Sequence, residues 1–235
     1  DLTLNATTNV DEIFPGRSSA DGKYYTMEFS LAEIKKLRVH ERSKKRGSGP
    51  AFKGRFPHQS LLFEVPTLEE MLQLVNGLKK SHGHEMGLYI EIKGAEIHIQ
   101  YKLDPAKKLL AILEKYDIRE ESDPVWIQSF DAEVLKTLKH KYKTRIKLTQ
   151  LIGENRWRLS STNFDYLKTE VGLKEVAGYA DGIGPWMNHV VTGKNISGDF
   201  QLTGLVKMAQ LLNLKVHPYT LRKDRLPDYA ETFDD

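Results

Sequence analysis

The sequence contains no cysteine, which excludes disulfide bonds and chemistry that depends on a thiolate. Free thiols are a liability in oxidising compartments, so their absence fits a periplasmic, secreted or extracellular location, which we predict. No apolar run approaches the roughly 18 residues that suggest a membrane span, so stable membrane insertion is not expected. The net charge of +3 is small for 235 residues. Proteins that bind nucleic acid concentrate basic residues on one face. The small net charge does not argue for such a face, so no nucleic-acid partner is predicted.

Both ends of the sequence lack features of a complete chain. Residue 1 is Asp, no signal-peptide core follows it, and the final residues contain no closing apolar element. These observations predict that the sequence is a central fragment of a longer protein.

Helix-start signals recur along the sequence, each before apolar residues at helical spacing. Residues 30–33 and 67–70 fit the capping box, in which a Ser or Thr is followed three residues later by Glu. Asp104 precedes a first-turn proline, and Asp131 precedes another apolar pattern. Later helices are predicted at about 165–178 and 202–213.

Short segments rich in β-branched and aromatic residues alternate with these helices. They are residues 88–92, 125–130, 146–152, 181–184 and 214–219. Such alternation predicts parallel strands joined by crossover helices, as in an α/β barrel or a doubly wound sheet. Both architectures fit, although the sequence has no Gly-rich strand-to-helix turn of the dinucleotide-binding type.

Polar residues collect where the predicted strands end. In an α/β barrel, the carboxyl ends of the strands build the active site, so these residues are candidates for it. The strand-end glutamines Gln128 and Gln150 can bond substrate, or they can satisfy other amides. His217 is either a ligand or proton carrier, or a hydrogen-bonded wall of the pocket. Tyr219 lies on the same face of its strand.

Glu91 and Lys93 are two residues apart on one predicted strand and therefore point to the same face. A carboxylate can hold a hard divalent cation, and a neighbouring ammonium can hold a phosphate oxygen. The pair therefore suits a metal-assisted phosphate ester site. The alternative is a plain ion pair on an exposed strand.

Two further features remain open at this point. Residues 38–66 form a predicted long basic loop. Its run at 42–46 steers an anionic substrate, contacts membrane phosphate or is simply solvated. Trp186 follows a Gly-Pro turn and either stacks on a head group or packs into a loop core.

Five segments, in chain order, resemble motifs of the glycerophosphodiester phosphodiesterases. Residues 1–8 resemble the tail of that family's His-Asp motif, and residues 89–93 resemble its Glu-Ile-Lys strand. Residues 125–131 resemble its Ser-Phe strand. Residues 180–185 and 216–220 are similar to later strands of its periplasmic or secreted subclass. Each motif is weak alone, but five in the right order make a specific resemblance.

The resemblance implies one (β/α)8 TIM-type barrel domain over residues 1–235, with a family-type insertion at about 14–57. It implies hydrolysis of a small glycerophosphodiester to an alcohol and sn-glycerol 3-phosphate with a divalent cation, Ca²⁺ or Mg²⁺. Glu91 is then a metal ligand, and Lys93 balances the charge of the phosphate. The other implied substrate-binding residues are Gln128, Gln150, His217 and Tyr219.

The resemblance also implies parts that these residues lack. The family's His-Arg-Gly motif and two of its three metal carboxylates have no match, and both catalytic histidines are expected upstream of Asp1. The predicted strands then correspond to barrel strands 3 to 7. The fragment alone is expected to be inactive.

Two other functions are compatible with such a barrel. Related barrels include phospholipase D-type toxins, but these depend on disulfides and have a shorter region after the His-Asp motif. A catalytically dead barrel could serve as a binding or surface protein. The retained Glu91 and Lys93 argue against it, because a binding scaffold needs neither a metal ligand nor a phosphate partner.

Overall fold

The computed structural model describes residues 2–42, 49–52, 63–222 and 224–230, and its chain divides into two compact units, residues 1–74 and 75–235. None of the helices in these ranges combines the length and apolar composition needed to cross a bilayer. The helices are α1 (Val10–Ile13), α2 (Leu31–Ile34), α3 (Leu68–His82), α4 (Ala95–Gln100), α5 (Pro105–Lys115), α6 (Ala132–Lys136), α7 (Phe164–Leu167), α8 (Glu170–Ala177) and α9 (Leu205–Leu211). The strands are β1 (Arg38–Val39), β2 (Phe63–Glu64), β3 (Leu88–Glu91), β4 (Val125–Ser129), β5 (Lys147–Ile152), β6 (Gly182–Pro185), β7 (Val191–Lys194), β8 (Phe200–Leu202) and β9 (Lys215–Val216).

The first unit has a small apolar core of its own. That core contains Leu4, Val10, Tyr24, Phe29 and Leu37. The predicted loop at 38–66 is not wholly irregular, because β1 and β2 pair within it as an antiparallel ladder. Residues 43–46 of the basic run, and 43–48 and 53–57 of the predicted insertion, lie outside the described residues.

The second unit contains a five-stranded parallel sheet in the order β3-β4-β5-β6-β9. The neighbours in this sheet follow the order of the chain. A doubly wound sheet reverses its strand order at a switch point, whereas a barrel places each new strand beside the previous one. The predicted parallel α/β architecture is therefore confirmed, and the order favours barrel-type winding. The described strands form an open sheet, so the closed barrel remains a prediction. The assignment of residues 1–235 to a single barrel domain also remains a prediction.

The two faces of this sheet differ in chemistry. On the helix face, α6 packs against β4 and β5, and α8 packs against β6. Its side chains Ile127, Leu148, Ile152 and Ile183 are fully buried. The residues that alternate with them point to the opposite face. This face, called the polar face below, carries Tyr89, Glu91, Trp126, Gln128, Thr149 and His217.

The predicted helix starts are confirmed by their caps. Ser30 and Glu33 form a capping box, and Thr67 accepts the backbone N–H of Glu70 at 3.1 Å. Asp104 and Asp131 accept backbone N–H groups at the starts of α5 and α6. The N-terminal ends of these four helices are therefore fixed by short polar side chains that satisfy otherwise unbonded N–H groups.

Candidate active site at the carboxyl ends of the parallel strands

Glu91 and Lys93 lie where β3 ends. The Oε2 atom of Glu91 is 2.7 Å from the Nζ atom of Lys93, which confirms that the two side chains share a face. The Oε1 atom of Glu91 is buried and has no hydrogen-bond partner among the described residues. A buried carboxylate oxygen without a partner is costly, so its presence points to a ligand that completes it.

A hard cation is a chemically suitable ligand for this oxygen. Ca²⁺ and Mg²⁺ bind carboxylate oxygens in preference to nitrogen or sulfur. No group of three histidine, aspartate or glutamate side chains with metal-binding spacing occurs within the described ranges. Glu91 therefore fits as a single protein ligand of a cation. The described residues contain no group of three such side chains that would complete the coordination of that cation.

Gln128 is directly beside Glu91 in the sheet. The two residues are register partners in the parallel ladder of β3 and β4, so their side chains point to the same face. Gln128 is half-buried on the polar face. This position suits an amide that donates a hydrogen bond to a ligand of Glu91 or Lys93.

Gln150 is placed differently from Gln128. Its side chain is fully buried and lies on the helix face, where its Oε1 accepts a hydrogen bond from the Tyr179 hydroxyl at 2.9 Å. Its Nε2 donates to the backbone carbonyls of Phe130 at 3.2 Å and Leu151 at 2.9 Å. These contacts give Gln150 a structural role, and its predicted contact with substrate has no support from this placement.

His217 belongs to a hydrogen-bonded chain across the polar face. The Tyr89 hydroxyl donates to Thr149 Oγ1 at 2.8 Å and lies 2.7 Å from His217 Nδ1. The Tyr89 hydroxyl therefore joins Thr149 and the His217 imidazole in one hydrogen-bonded chain. Trp126 contacts the same imidazole edge-on at 4.8 Å. Burial, followed by the charge of Lys215, lowers the pKa of His217. This geometry matches the pocket-wall interpretation, and substrate binding by His217 stays a prediction.

Tyr219 lies beside the ends of β5 and β6. Its hydroxyl donates to the carbonyl of Ile152 at 3.1 Å, and its ring meets Phe130 edge-on at 5.7 Å. Burial raises the pKa of Tyr219, and the nearby negative charges of Glu91 and Glu154 raise it further. The Tyr219 hydroxyl is therefore neutral at physiological pH, and the charges of Glu91 and Glu154 both act on it.

Trp186 forms part of a group that the sequence did not reveal. Its ring meets Trp157 at 5.2 Å and His189 at 5.5 Å, and His189 Nε2 is 2.9 Å from Glu154 Oε1. Glu154 follows the end of β5 by two residues, so the strand-end argument could have included it. His189 lies in a short turn after β6, and no sequence spacing connects it to Glu154.

Comparison with known proteins adds a family to this geometry. The family model described as the glycerophosphoryl diester phosphodiesterase family matches residues 1–235. A glycerophosphodiester phosphodiesterase of Haemophilus influenzae is 34% identical over 246 residues, which cover 97% of this chain and 68% of that protein. One from Treponema pallidum is 33% identical over 249 residues, which cover 99% and 70%. One from Arabidopsis thaliana is 27% identical over 215 residues, which cover 86% and 54%.

Proposed function

The chain belongs to the glycerophosphoryl diester phosphodiesterase family, and from this premise we propose that it hydrolyses glycerophosphodiesters to an alcohol and sn-glycerol 3-phosphate. The family resemblance carried by the motifs is confirmed, and with it the enzyme class of phosphoric diester hydrolases. In the proposed reaction the oxygen of one water becomes bonded to phosphorus, and the bond between phosphorus and the alcohol oxygen breaks. That oxygen takes a proton, and phosphorus keeps its bond to glycerol.

The proposal includes the complete (β/α)8 barrel, with the five parallel strands as barrel strands 3 to 7. The sequential order of these strands supports this assignment, because barrel winding produces it. It also includes the periplasmic or secreted subclass and location, which the absence of cysteine supports.

The observation that carries the proposed chemistry is the unpartnered Oε1 of Glu91, next to an ion pair with Lys93. In this proposal Glu91 holds a divalent cation, Ca²⁺ or Mg²⁺. When bound, such a cation neutralises negative charge on the phosphoryl oxygens. Lys93 presents its ammonium to a phosphoryl oxygen, and Gln128 donates an amide hydrogen bond from the adjacent strand. The described histidines receive no role in proton transfer.

The test measures cation binding as well as activity, on the full-length protein. After treatment with a chelator, release of glycerol 3-phosphate from glycerophosphocholine should stop, and Ca²⁺ or Mg²⁺ should restore it. Glu91→Gln should weaken cation binding in calorimetric titration and lower kcat/KM by at least about 100-fold, as loss of a charge-stabilising group does. Its melting temperature should change little, because Oε1 has no partner among the described residues and the ion pair lost at Oε2 involves a Lys93 side chain that is 44% exposed.

Glu170→Gln is the matched control for this test. Glu170 is an exposed carboxylate in α8 that pairs with Lys174, so its variant changes net charge equally without touching the strand ends. The control should bind the cation normally. Unchanged cation affinity and activity in Glu91→Gln would contradict the assignment.

A further inference from the structure

Four side chains outside the phosphate site gather at the carboxyl ends of β5 and β6. Glu154 and Trp157 follow β5, and Trp186 and His189 follow β6. Because β5 and β6 are parallel neighbours, both loops leave the sheet at the edge where β3 ends at Glu91.

The acid of this group is held in a fixed orientation. Glu154 Oε1 lies 2.9 Å from His189 Nε2, and the His189 side chain is only 7% exposed. His189 Nδ1 is buried and has no hydrogen-bond partner in the described part of the chain. The second oxygen, Oε2, forms a long ion pair with Arg156, at 3.9 Å from Nε, and the Arg156 side chain is 75% exposed. Such an exposed ion pair is weak, so Glu154 presents an oxygen that Arg156 only partly neutralises.

Two tryptophans stand beside this carboxylate. The rings of Trp157 and Trp186 are 5.2 Å apart in an edge-to-face arrangement. Gly153 permits the close approach of Trp157, because a Cβ at position 153 would lie 2.8 Å from the indole ring. Tryptophan is the strongest aromatic partner of a cation, and a nearby carboxylate adds direct charge attraction. The combination fits a positively charged ligand.

The distance from the phosphate site suits a substituent of the same substrate. Only β4 separates β3 from β5, so their ends are two strand spacings apart, about 10 Å. Tyr219 reaches this end of the sheet, because its hydroxyl bonds to the carbonyl of Ile152 at the end of β5 and its ring meets that of Phe130, which follows β4. A phosphodiester bound at Glu91 and Lys93 can extend its head group toward Glu154.

We propose that Glu154, Trp157 and Trp186 form the subsite for the head group of the leaving alcohol, and that this subsite selects head groups with an ammonium. His189 is a positioning residue that holds Glu154. This inference rests on the proposed hydrolysis and adds a substrate preference to it. A neutral polyol head group stacks on the indoles but gains nothing from the carboxylate.

The test compares kcat/KM for glycerophosphocholine with that for glycerophosphoglycerol, whose head group is neutral, in the full-length protein. Glu154→Gln should lower the choline value by about 5- to 30-fold, mostly through KM, as expected for loss of a partly desolvated charge contact. The same substitution should change kcat/KM for glycerophosphoglycerol by less than about 2-fold. Trp186→Leu should act in the same direction. Glu170→Gln, the exposed control in α8, should change neither value.

A second measurement needs no variant, in case Glu154→Gln disturbs the packing of His189. Free choline should inhibit the wild-type protein competitively, and its neutral carbon isostere, dimethylbutanol, should inhibit far less. Equal inhibition by the two compounds, or an equal effect of Glu154→Gln on both substrates, would overturn the inference. Absence of glycerol 3-phosphate release from either substrate would instead overturn the proposed function.

Discussion

At the residue scale, Gln150 shows how a buried polar group stabilises this sheet. Its amide bonds to three backbone carbonyls, those of Ser129, Phe130 and Leu151, and to the Tyr179 hydroxyl. Gln150→Ala leaves these groups without partners and opens a cavity. We expect the free energy of unfolding to fall by about 2–4 kcal/mol, measured by urea denaturation.

Gln128→Ala is the natural counterpart, because Gln128 lies on the half-buried polar face beside Glu91. We expect it to change the unfolding free energy by less than about 1 kcal/mol while raising KM. If Gln150→Ala changed only KM and Gln128→Ala lowered the unfolding free energy, the placement of Gln150 on the helix face and Gln128 on the polar face would be contradicted.

The sequence could not separate these glutamines for a physical reason. Along β4, buried and half-buried residues alternate, so the face of Gln128 follows from the pattern. Along β5, five consecutive residues from Leu148 to Ile152 are buried, so both faces are covered and the alternation disappears. Strand-end position was predictable for both residues, but the direction of Gln150 needed the structure.

His217 makes a pH-dependent prediction. Burial, and then the charge of Lys215, lower its pKa in the folded protein. The unfolded chain, with an ordinary histidine pKa of about 6.5, therefore binds the proton more readily. Stability should be lost as pH falls through this value toward the folded pKa. His217→Gln has no histidine at this position, so it should not lose stability in this way. Between about pH 7 and 5 the melting temperature of the wild-type protein should therefore fall more than that of His217→Gln. A constant difference between the two proteins would contradict this cause.

At the element scale, the junction of α7 and α8 depends on a glycine. The structure divides the helix predicted at 165–178 into α7 and α8, because the Thr169 hydroxyl accepts the Gly172 N–H and starts a second helix. A Cβ on Gly172 would collide with the backbone oxygen of Tyr166 and approach Leu167 Cα to 2.8 Å. The prediction of one helix was therefore wrong, since the helical spacing of apolar residues continues across residues 168 and 169, which separate α7 from α8.

Gly172→Ala should accordingly lower the unfolding free energy by about 1–3 kcal/mol, because backbone atoms have to shift. Gly77→Ala is the matched control. Gly77 is in α3, where an added Cβ meets nothing within 4 Å, so alanine should stabilise by about 0.5–1 kcal/mol. Chemical denaturation of both variants measures the difference. Equal effects of the two substitutions would contradict the close contact of α7 and α8.

Strong local signals allowed most elements to be predicted. The five parallel strands lie within one or two residues of their predicted starts, and the capped helices begin where expected. The hairpin of β7 and β8 and the short helices α1 and α4 were not predicted. The β7–β8 hairpin is largely exposed, with Leu202 71% accessible, so it lacks the alternating apolar pattern that marks a strand.

At the scale of the whole molecule, strand order and chemistry agree. Parallel strands added in chain order bring Glu91, Gln128 and Glu154 to one edge of the sheet, although 63 residues separate the first from the last. Family membership connects this edge to phosphodiester chemistry. The motifs of the sequence indicated Glu91 and Lys93 as candidates for a phosphate site, which stays a prediction. The sequence did not predict the side formed by Glu154 and His189, because that pair meets only in the folded chain.

The most direct test of the central claim follows glycerophosphocholine by phosphorus NMR during incubation of the full-length protein with Ca²⁺ or Mg²⁺. The account predicts that its signal is replaced by that of sn-glycerol 3-phosphate, with release of choline. Phosphocholine as the product would contradict the bond assigned to break. An unchanged signal, from protein shown to be folded by circular dichroism, would contradict hydrolysis and favour the binding-protein alternative.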